Sequence, residues 1–155
     1  MPFYFLDTSA LAKRYLPETG SSWLLSILDD PTCSVAISAV ASVELASALA
    51  GAGRRGEITT EQQDTQYRQF IADAGELDVL DVSKELLARS SDLLLGAGAV
   101  ALRSLDAIQL ASAIWWSERL NANNMGRGVF VVADRRLREA ASALGLPVDN
   151  PEERE

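Results

Sequence analysis

Short apolar runs alternate along the chain with longer stretches in which apolar residues recur at helical spacing. Four runs have the length and composition of buried strands: FYFL at 3–6, SVAI at 34–37, LDVLDV at 77–82 and VFVV at 129–132. A weaker fifth run lies near LPVDN at 146–150. Strands that alternate with helices favour a parallel sheet covered on both faces. The pattern therefore predicts an α/β domain with three layers, α/β/α, and a central parallel sheet of four to five strands.

The segments between these runs carry the start and stop signals of helices. A side-chain hydroxyl can accept from the unpaired N–H groups of a first turn, which predicts N-caps at four positions: Ser38, Thr59, Ser83 and Ser104. Thr59 also has capping-box spacing to Gln62. Gly51 and Gly53 are predicted to close one helix and Gly75 the next.

Residues 83–97 show an amphipathic pattern in which the apolar positions 86, 87, 93, 94 and 97 form one stripe. The stripe predicts a helix that covers the sheet. The segment 51–63 is rich in glycine and polar residues, and it predicts a turn between two helices.

The length of 155 residues suits one domain with a single core, and we expect residues 1–155 to form it. The N-terminus MPFYFLD lacks the basic start of a signal peptide. No apolar run approaches the roughly 20 residues of a membrane helix. We therefore expect a cytoplasmic protein that does not enter the membrane.

Composition removes several kinds of site. The chain has no histidine, which excludes a Ser-His-Asp triad, an imidazole base and a histidine-bound zinc. Cys33 is the only cysteine, so no disulfide can form within the chain, and we interpret it as a buried strand residue rather than a nucleophile. Lys and Arg total 14 against 22 Asp and Glu, for a net charge of −8.

Four acids stand against apolar sequence rather than on polar helix faces. Asp7 and Asp134 each follow an apolar strand run at its carboxyl end. Glu44 is the only charged residue between Pro31 and Gly53, and Asp106 opens the apolar helix LDAIQLASAIWW. Helix capping would explain Asp7 and Asp134, and the helix dipole would explain Asp106. Glu44 needs a partner, because burying a lone carboxylate is costly.

The topology of an α/β sheet predicts that these acids meet. Ligand sites in such sheets lie at the carboxyl ends of the strands, where the helices begin. Four carboxylates in one crevice repel one another unless a cation joins them, and oxygen ligands suit Mg²⁺ or Mn²⁺. The sequence therefore predicts a metal-dependent phosphodiesterase site, at which histidine is not required.

Four segments together resemble the signature segments of PIN-domain nucleases, most closely the VapC-type toxins of toxin–antitoxin modules: LDTSALAKRY, SAVASVELASAL, LRSLDAIQLASA and VFVVADRRL. The resemblance spans essentially the whole chain. It implies a sheet of order 3-2-1-4-5 and an endoribonuclease that uses Mg²⁺ or Mn²⁺ and inhibits translation. It also implies a homodimer and a VapB-type antitoxin that blocks the site and binds promoter DNA together with the toxin.

By this resemblance Asp7, Glu44, Asp106 and Asp134 match the acidic quartet that holds the metal and performs catalysis. Ser9 matches a hydroxyl beside the metal and is a candidate for substrate binding. Two positions differ from the family pattern. Val132 stands where Thr or Ser is common, which removes one hydroxyl contact to the site. Gln109 stands where some relatives carry His.

Basic residues near the acids are candidates for contacts with RNA phosphates, which the net negative charge otherwise disfavours. Arg103 is the first candidate, followed by Arg14 and Arg135; Lys13, Arg136 and Arg138 also lie close in sequence. Each would otherwise be a solvated residue or a salt-bridge partner. Trp23, Trp115 and Trp116 are interpreted as core or dimer-interface residues rather than platforms for bases.

Two other functions remain open at this stage. A PIN-like binding module that has lost catalysis would account for Val132 and the acidic composition. A phosphatase that uses Asp7 as nucleophile would normally carry a second Asp two residues later, where this chain has Ser9.

Overall fold

The computed structural model describes residues 1–96 and 101–154. Its sheet contains five parallel strands in the order β3-β2-β1-β4-β5. The strands are β1 Phe3–Leu6, β2 Ser34–Ser38, β3 Asp78–Leu80, β4 Val129–Val131 and β5 Val148–Asp149. Tyr4 of the central strand lies opposite Val35 of β2 and Val129 of β4. All five predicted strands and the predicted order are confirmed.

Helices connect the strands and lie on both faces of the sheet. The described α-helices are α1 Thr8–Leu11, α2 Ser21–Leu28, α3 Ala41–Arg54, α4 Thr60–Ala74, α5 Lys84–Leu95, α6 Ser104–Ala122 and α7 Arg135–Ala143. Short 3₁₀ turns follow α1 at Ala12–Arg14 and follow β5 at Pro151–Glu153. None of the helices in the described ranges is long and apolar enough to span a membrane.

The central strand supplies core residues to both faces because successive side chains point in opposite directions. Leu6 packs with Leu11 and Leu45 in a cluster formed with α1 to α4. Phe5 packs with Phe130 and Trp116 in a second cluster formed with α6 and α7. The sheet is therefore sandwiched between two apolar layers, as the continuous apolar character of its strands predicts.

Two of the four predicted N-caps are confirmed. Thr59 accepts from the N–H of Gln62 and completes the capping box of α4, and Ser83 accepts from Leu86 at the start of α5.

The predictions for Ser38 and Ser104 were wrong. Ser38 is the last residue of β2, so α3 begins three residues later, at Ala41. Ser104 is itself the first residue of α6, and the Asp106 carboxylate accepts from the N–H of Arg103 at the cap position (3.1 Å).

The glycine signals were right at one helix end and wrong at another. Gly75 follows α4 as predicted, but Gly51 and Gly53 lie inside α3, which continues to Arg54. A side chain at position 53 would overlap Gln63 of α4. Glycine here permits close packing of two helices, and the predicted turn shrinks to residues 55–59.

The predicted stripe on α5 is only partly buried. Leu86 is buried and Leu93 packs on the second cluster, whereas Leu87 and Leu94 are exposed. Ala97 lies outside the described residues. The difference arises because α5 packs mainly along α6, so a narrower face suffices.

Candidate active site

Asp7 stands where β1 ends, and the backbone fixes its position. Its N–H donates to the carbonyl of Val131 in β4 (3.0 Å), and its Oδ2 accepts from the N–H of Ser9 (2.9 Å). The carboxylate is the N-cap of α1, yet only 5% of the residue is exposed. Capping accounts for the hydrogen bond of Oδ2, but a helix cap does not need to be buried.

The Ser9 hydroxyl ties the chain after β4 to this corner. Its Oγ accepts from the N–H groups of Ala133 (3.0 Å) and Asp134 (3.2 Å). Asp134 is exposed, and its carboxylate caps α7 by accepting from Leu137 (2.9 Å). Ser9 thus places the start of α7 next to Asp7 through the backbone.

Glu44 lies in the first turn of α3 and is half-buried. Its Oε1 accepts from the Thr8 hydroxyl (3.1 Å) and from Nε2 of Gln109 (2.8 Å), and the same amide donates to Thr8 Oγ1 (3.0 Å). The partners that a buried carboxylate needs are therefore a hydroxyl and an amide. Neither neutralises its charge.

Burial and the repulsion of nearby carboxylates raise the pKa values of Asp7 and Glu44. Loss of water raises the pKa of Asp7 to about 7; the Ser9 hydrogen bonds oppose this shift, and the charges of Glu44 and Asp106 add to it. The pKa of Glu44 is also raised, first by burial, and Asp106 adds to that shift. The charge of Asp106 therefore reaches both Asp7 and Glu44. Asp134 is not among the charges that shift Asp7.

The donor atoms suit a hard divalent cation, although the site is not a complete protein cage. Within residues 1–96 and 101–154, no three Asp, Glu, Cys or His side chains converge closely enough to enclose an ion. Mg²⁺ normally needs only one or two carboxylates, because waters and substrate phosphates complete its shell. A cation beside Asp7 would also relieve the repulsion that raises its pKa.

A cleft of about 900 Å³ opens beside two of the four acids, Glu44 and Asp134, whereas Asp7 and Asp106 are not among the residues that line it. Ser9, Glu44 and Asp134 line it, and small residues of α3, Ser47, Ala48 and Gly51, continue its wall. It extends to Arg54 and Arg55, which the sequence did not single out because the glycines were expected to end the helix before them. Had this helix been predicted to extend to Arg54, Arg54 and Arg55 would have been placed at the same cleft as Glu44.

The predicted basic candidates have different surroundings. Arg103 is exposed and has no ion pair among the described residues. Arg14 pairs with Asp73 (3.4 Å), and Arg135 pairs with Glu139 (2.8 Å). The Lys13 side chain is buried between Glu18 and Glu152, and Arg138 donates to backbone carbonyls. Arg103 is thus the least engaged of the three arginines predicted to bind substrate.

Other residues that the sequence singled out serve the core. Val132 and Trp116 are buried in the second cluster, while Trp115 lies partly buried beneath Arg119 (4.7 Å from its ring centroid). Trp23 packs against Tyr4.

The prediction of a buried strand position for Cys33 was wrong, because Cys33 precedes β2 and is half-buried. Burial and the nearby Asp30 raise the pKa of its thiol, which opposes a nucleophilic role.

Comparison with known protein families identifies the family of this chain. The family model for the PIN domain matches residues 4–143. The chain belongs to the PIN domain family. No curated protein matches the chain closely enough to add to this.

Solved structures share the fold of this PIN domain. VapBC2 from Rickettsia felis, bound to a DNA fragment from its promoter, is 18% identical with a TM-score of 0.60, over 96% of this chain and 98% of that one. FitAcB from Neisseria gonorrhoeae is 20% identical with a TM-score of 0.61, over 96% and 97%. A toxin–antitoxin complex from Klebsiella pneumoniae is 19% identical with a TM-score of 0.56, over 96% and 97%.

Proposed function

We propose that this PIN domain is an endoribonuclease toxin of a toxin–antitoxin module, which hydrolyses RNA at a site holding Mg²⁺ or Mn²⁺ and thereby inhibits translation. One observation carries the proposal: Asp7 is buried at the carboxyl end of β1, close enough to Glu44 and Asp106 for their charges to act on it, and no Lys or Arg among the described residues forms an ion pair with it. A fold maintained by hydrophobic packing does not need this costly arrangement.

The four acids have different tasks in this proposal. Asp7 would be the principal metal ligand, because Ser9 holds one of its oxygens and the strand end fixes its backbone. Glu44 and Asp106 would complete the negative site, and Asp134 would act from the mouth of the cleft, which it lines. When bound, the divalent cation supplies an activated water and neutralises charge on the phosphate.

Binding of the RNA backbone falls to cationic side chains near the acids or in the cleft. Arg103 is exposed beside Asp106, and Arg54 lies at the far end of the cleft. Arg14 and Arg135 would first have to leave their carboxylate partners, so we rank them lower. Phosphate contacts of this kind provide affinity without base specificity.

The proposed partners are RNA, a VapB-type antitoxin and a second copy of the chain, with promoter DNA bound only through the antitoxin complex. The shared fold with toxin–antitoxin complexes, one of them bound to promoter DNA, supports this part. Exposed leucines on α5 and at the start of α6 offer an apolar surface for a dimer: Leu87, Leu94, Leu95 and Leu105. A cytoplasmic location, where RNA is available, belongs to the same proposal.

RNA cleavage by the purified, antitoxin-free protein tests the proposal. We expect cleavage with Mn²⁺ or Mg²⁺, none with a chelator, and a loss of at least about 100-fold in Asp7→Asn and Asp106→Asn, as for essential charge-stabilising groups. Asp29→Asn is the control, because Asp29 is exposed at the end of α2, before β2 begins. Equal cleavage by all variants would identify a contaminating nuclease and overturn the proposal.

A binding module without catalysis is the second candidate. It is favoured by Val132, which packs in the core and offers no hydroxyl to the site, and by the incomplete cage of acids among the described residues. Calorimetric titration with Mn²⁺ separates the two functions. A nuclease should bind the ion and lose affinity in Glu44→Gln, whereas the module should show no binding or no change.

A further inference from the structure

Gln109 of α6 is completely buried where α1, α3 and α6 meet below the acids. Its Nε2 makes two hydrogen bonds, to Oε1 of Glu44 (2.8 Å) and to Oγ1 of Thr8 (3.0 Å). Its own Oε1 is buried and accepts no hydrogen bond from the described residues. The side chain therefore satisfies its donors and leaves its acceptor unpaired.

The neighbours of the amide fix its orientation. If it turned over, its carbonyl oxygen would face a carboxylate oxygen of Glu44, and the Nε2 donors would lose both present acceptors. An unpaired buried acceptor costs stability, and an apolar residue at this position would avoid that cost. The residue that is present instead directs its two N–H donors towards Glu44 and Thr8.

Both donors near Glu44 act on the same oxygen. The Thr8 hydroxyl and Gln109 Nε2 donate to Oε1, whereas Oε2 accepts no hydrogen bond from the described residues. Glu44 lines the cleft beside Asp134 and Ser9. One carboxylate oxygen is thus held by the protein and the other is left for a ligand.

We propose that Gln109 is a positioning residue which, together with Thr8, holds Oε1 of Glu44 and leaves Oε2 as the oxygen that binds a divalent cation. This inference rests on the proposed metal-dependent function. Residues that orient a metal ligand typically change metal affinity by about 10- to 100-fold when they are replaced. Gln109 would act through Glu44 without touching the ion.

Mn²⁺ binding to the chelator-treated protein, measured by electron paramagnetic resonance, tests the inference without RNA. In Gln109→Met the apolar side chain has similar length but no donor, and we expect the Kd for Mn²⁺ to rise about 10- to 100-fold. The control is Ser112→Ala, a buried polar residue on the same helix whose hydroxyl donates only to the Ile108 carbonyl (2.7 Å). Its Kd should stay within about twofold of the unaltered protein, a limit well below the expected effect.

Thr8→Val provides a second variant should Gln109→Met not fold. It removes the other donor to Oε1 and should weaken Mn²⁺ in the same direction. The inference is overturned if the unaltered protein binds Mn²⁺ and the folded variants bind it equally well. If the unaltered protein binds no Mn²⁺, the proposed function itself fails, and the two failures are therefore distinguishable.

Discussion

Asp7 is both a helix cap and a buried acid beside two other acids. The cap accounts for its place at the start of α1, whereas burial, with a smaller contribution from Glu44 and Asp106, accounts for its raised pKa. Its folded-state pKa of about 7 lies above the ordinary value of 3.8, so the folded chain keeps this proton over a range in which the unfolded chain has lost it. The contribution of Asp7 to stability is complete below about pH 4 and is lost as the pH rises through 7.

Metal-free protein should therefore be destabilised by this one carboxylate at high pH. The difference between a pKa of about 7 in the folded chain and 3.8 in the unfolded chain corresponds to about 4 kcal/mol in the free energy of unfolding. We expect Asp7→Asn to be more stable than the unaltered protein at pH 8 by up to that amount, and close to it at pH 4. Urea unfolding with a chelator at both pH values measures the difference.

Asp134→Asn is the matched control, because Asp134 also caps a helix but is exposed. Asn and Asp cap about equally well, so this variant should change stability little at either pH. If Asp7→Asn is no more stable than the unaltered protein at pH 8, the electrostatic description of the site is wrong.

At the scale of single residues, the sequence predicted which acids are unusual and missed what holds them. Asp7 and Glu44 stood out because apolar sequence surrounds them. Gln109 is 65 positions from Glu44, and no local pattern connects the two. Contacts across such distances depend on how α3 and α6 pack, which periodicity does not specify.

Helix α4 shows how one element can depend on its first turn. Phe70 is its one fully buried residue, and Tyr67 and Ala74 pack partly against the first cluster. The capping box of Thr59 and Gln62 adds to this packing by satisfying N–H groups of the first turn. The helix in turn supplies Asp73, which accepts from the Tyr15 hydroxyl (2.8 Å) and pairs with Arg14. A cap that stabilises α4 therefore also stabilises the contacts that Asp73 makes with the segment after α1.

Thr59→Ala should lower the free energy of unfolding by about 1 kcal/mol, because one N–H of the first turn loses its acceptor. Thr60→Ala is the control at the next position, where the side chain is exposed and caps nothing. Chemical unfolding of both variants measures the difference. An equal loss in both would show that the cap does not stabilise α4.

The helix boundaries show why local signals predict some elements better than others. The predictions for Thr59 and Ser83 were correct because neither residue belongs to a strand and each side chain is available to cap the helix that follows. Ser38 was wrong because pairing of β2 with β3 includes it, opposite Leu80. Gly53 was wrong because α3 continues through it to Arg54 and packs there against α4, where the Gln63 side chain lies beside it. In both errors a tertiary contact outweighed the local preference.

At the scale of the whole molecule, Lys13 connects the segment after α1 to the 3₁₀ turn that follows β5. Its buried ammonium lies 2.9 Å from both Glu18 and Glu152, the latter in the 3₁₀ turn Pro151–Glu153. Gly20 has a positive φ of 88°, and a Cβ there would lie 2.6 Å from the Pro151 carbonyl. Glycine and lysine together hold the C-terminal turn beside the cleft, where Glu152 forms part of the wall.

Lys13→Met should lower the free energy of unfolding by about 1 to 3 kcal/mol, because two carboxylates lose their shared donor. Lys84→Met is the control, since Lys84 is the only other lysine and is exposed at the start of α5. Thermal unfolding compares the two variants. If they melt at the same temperature, Lys13 does not hold the C-terminal turn.

The sheet ends on short strands, β3 with three residues at one edge and β5 with two at the other. Each carries an aspartate, Asp78 on one and Asp149 on the other. A strand from another molecule would find little backbone to pair with and charged side chains at either border, Asp78 on β3 and the Asp149–Arg154 pair on β5, which disfavours growth of the sheet between molecules. The protein should therefore resist edge-to-edge aggregation at the high concentrations that metal titrations require.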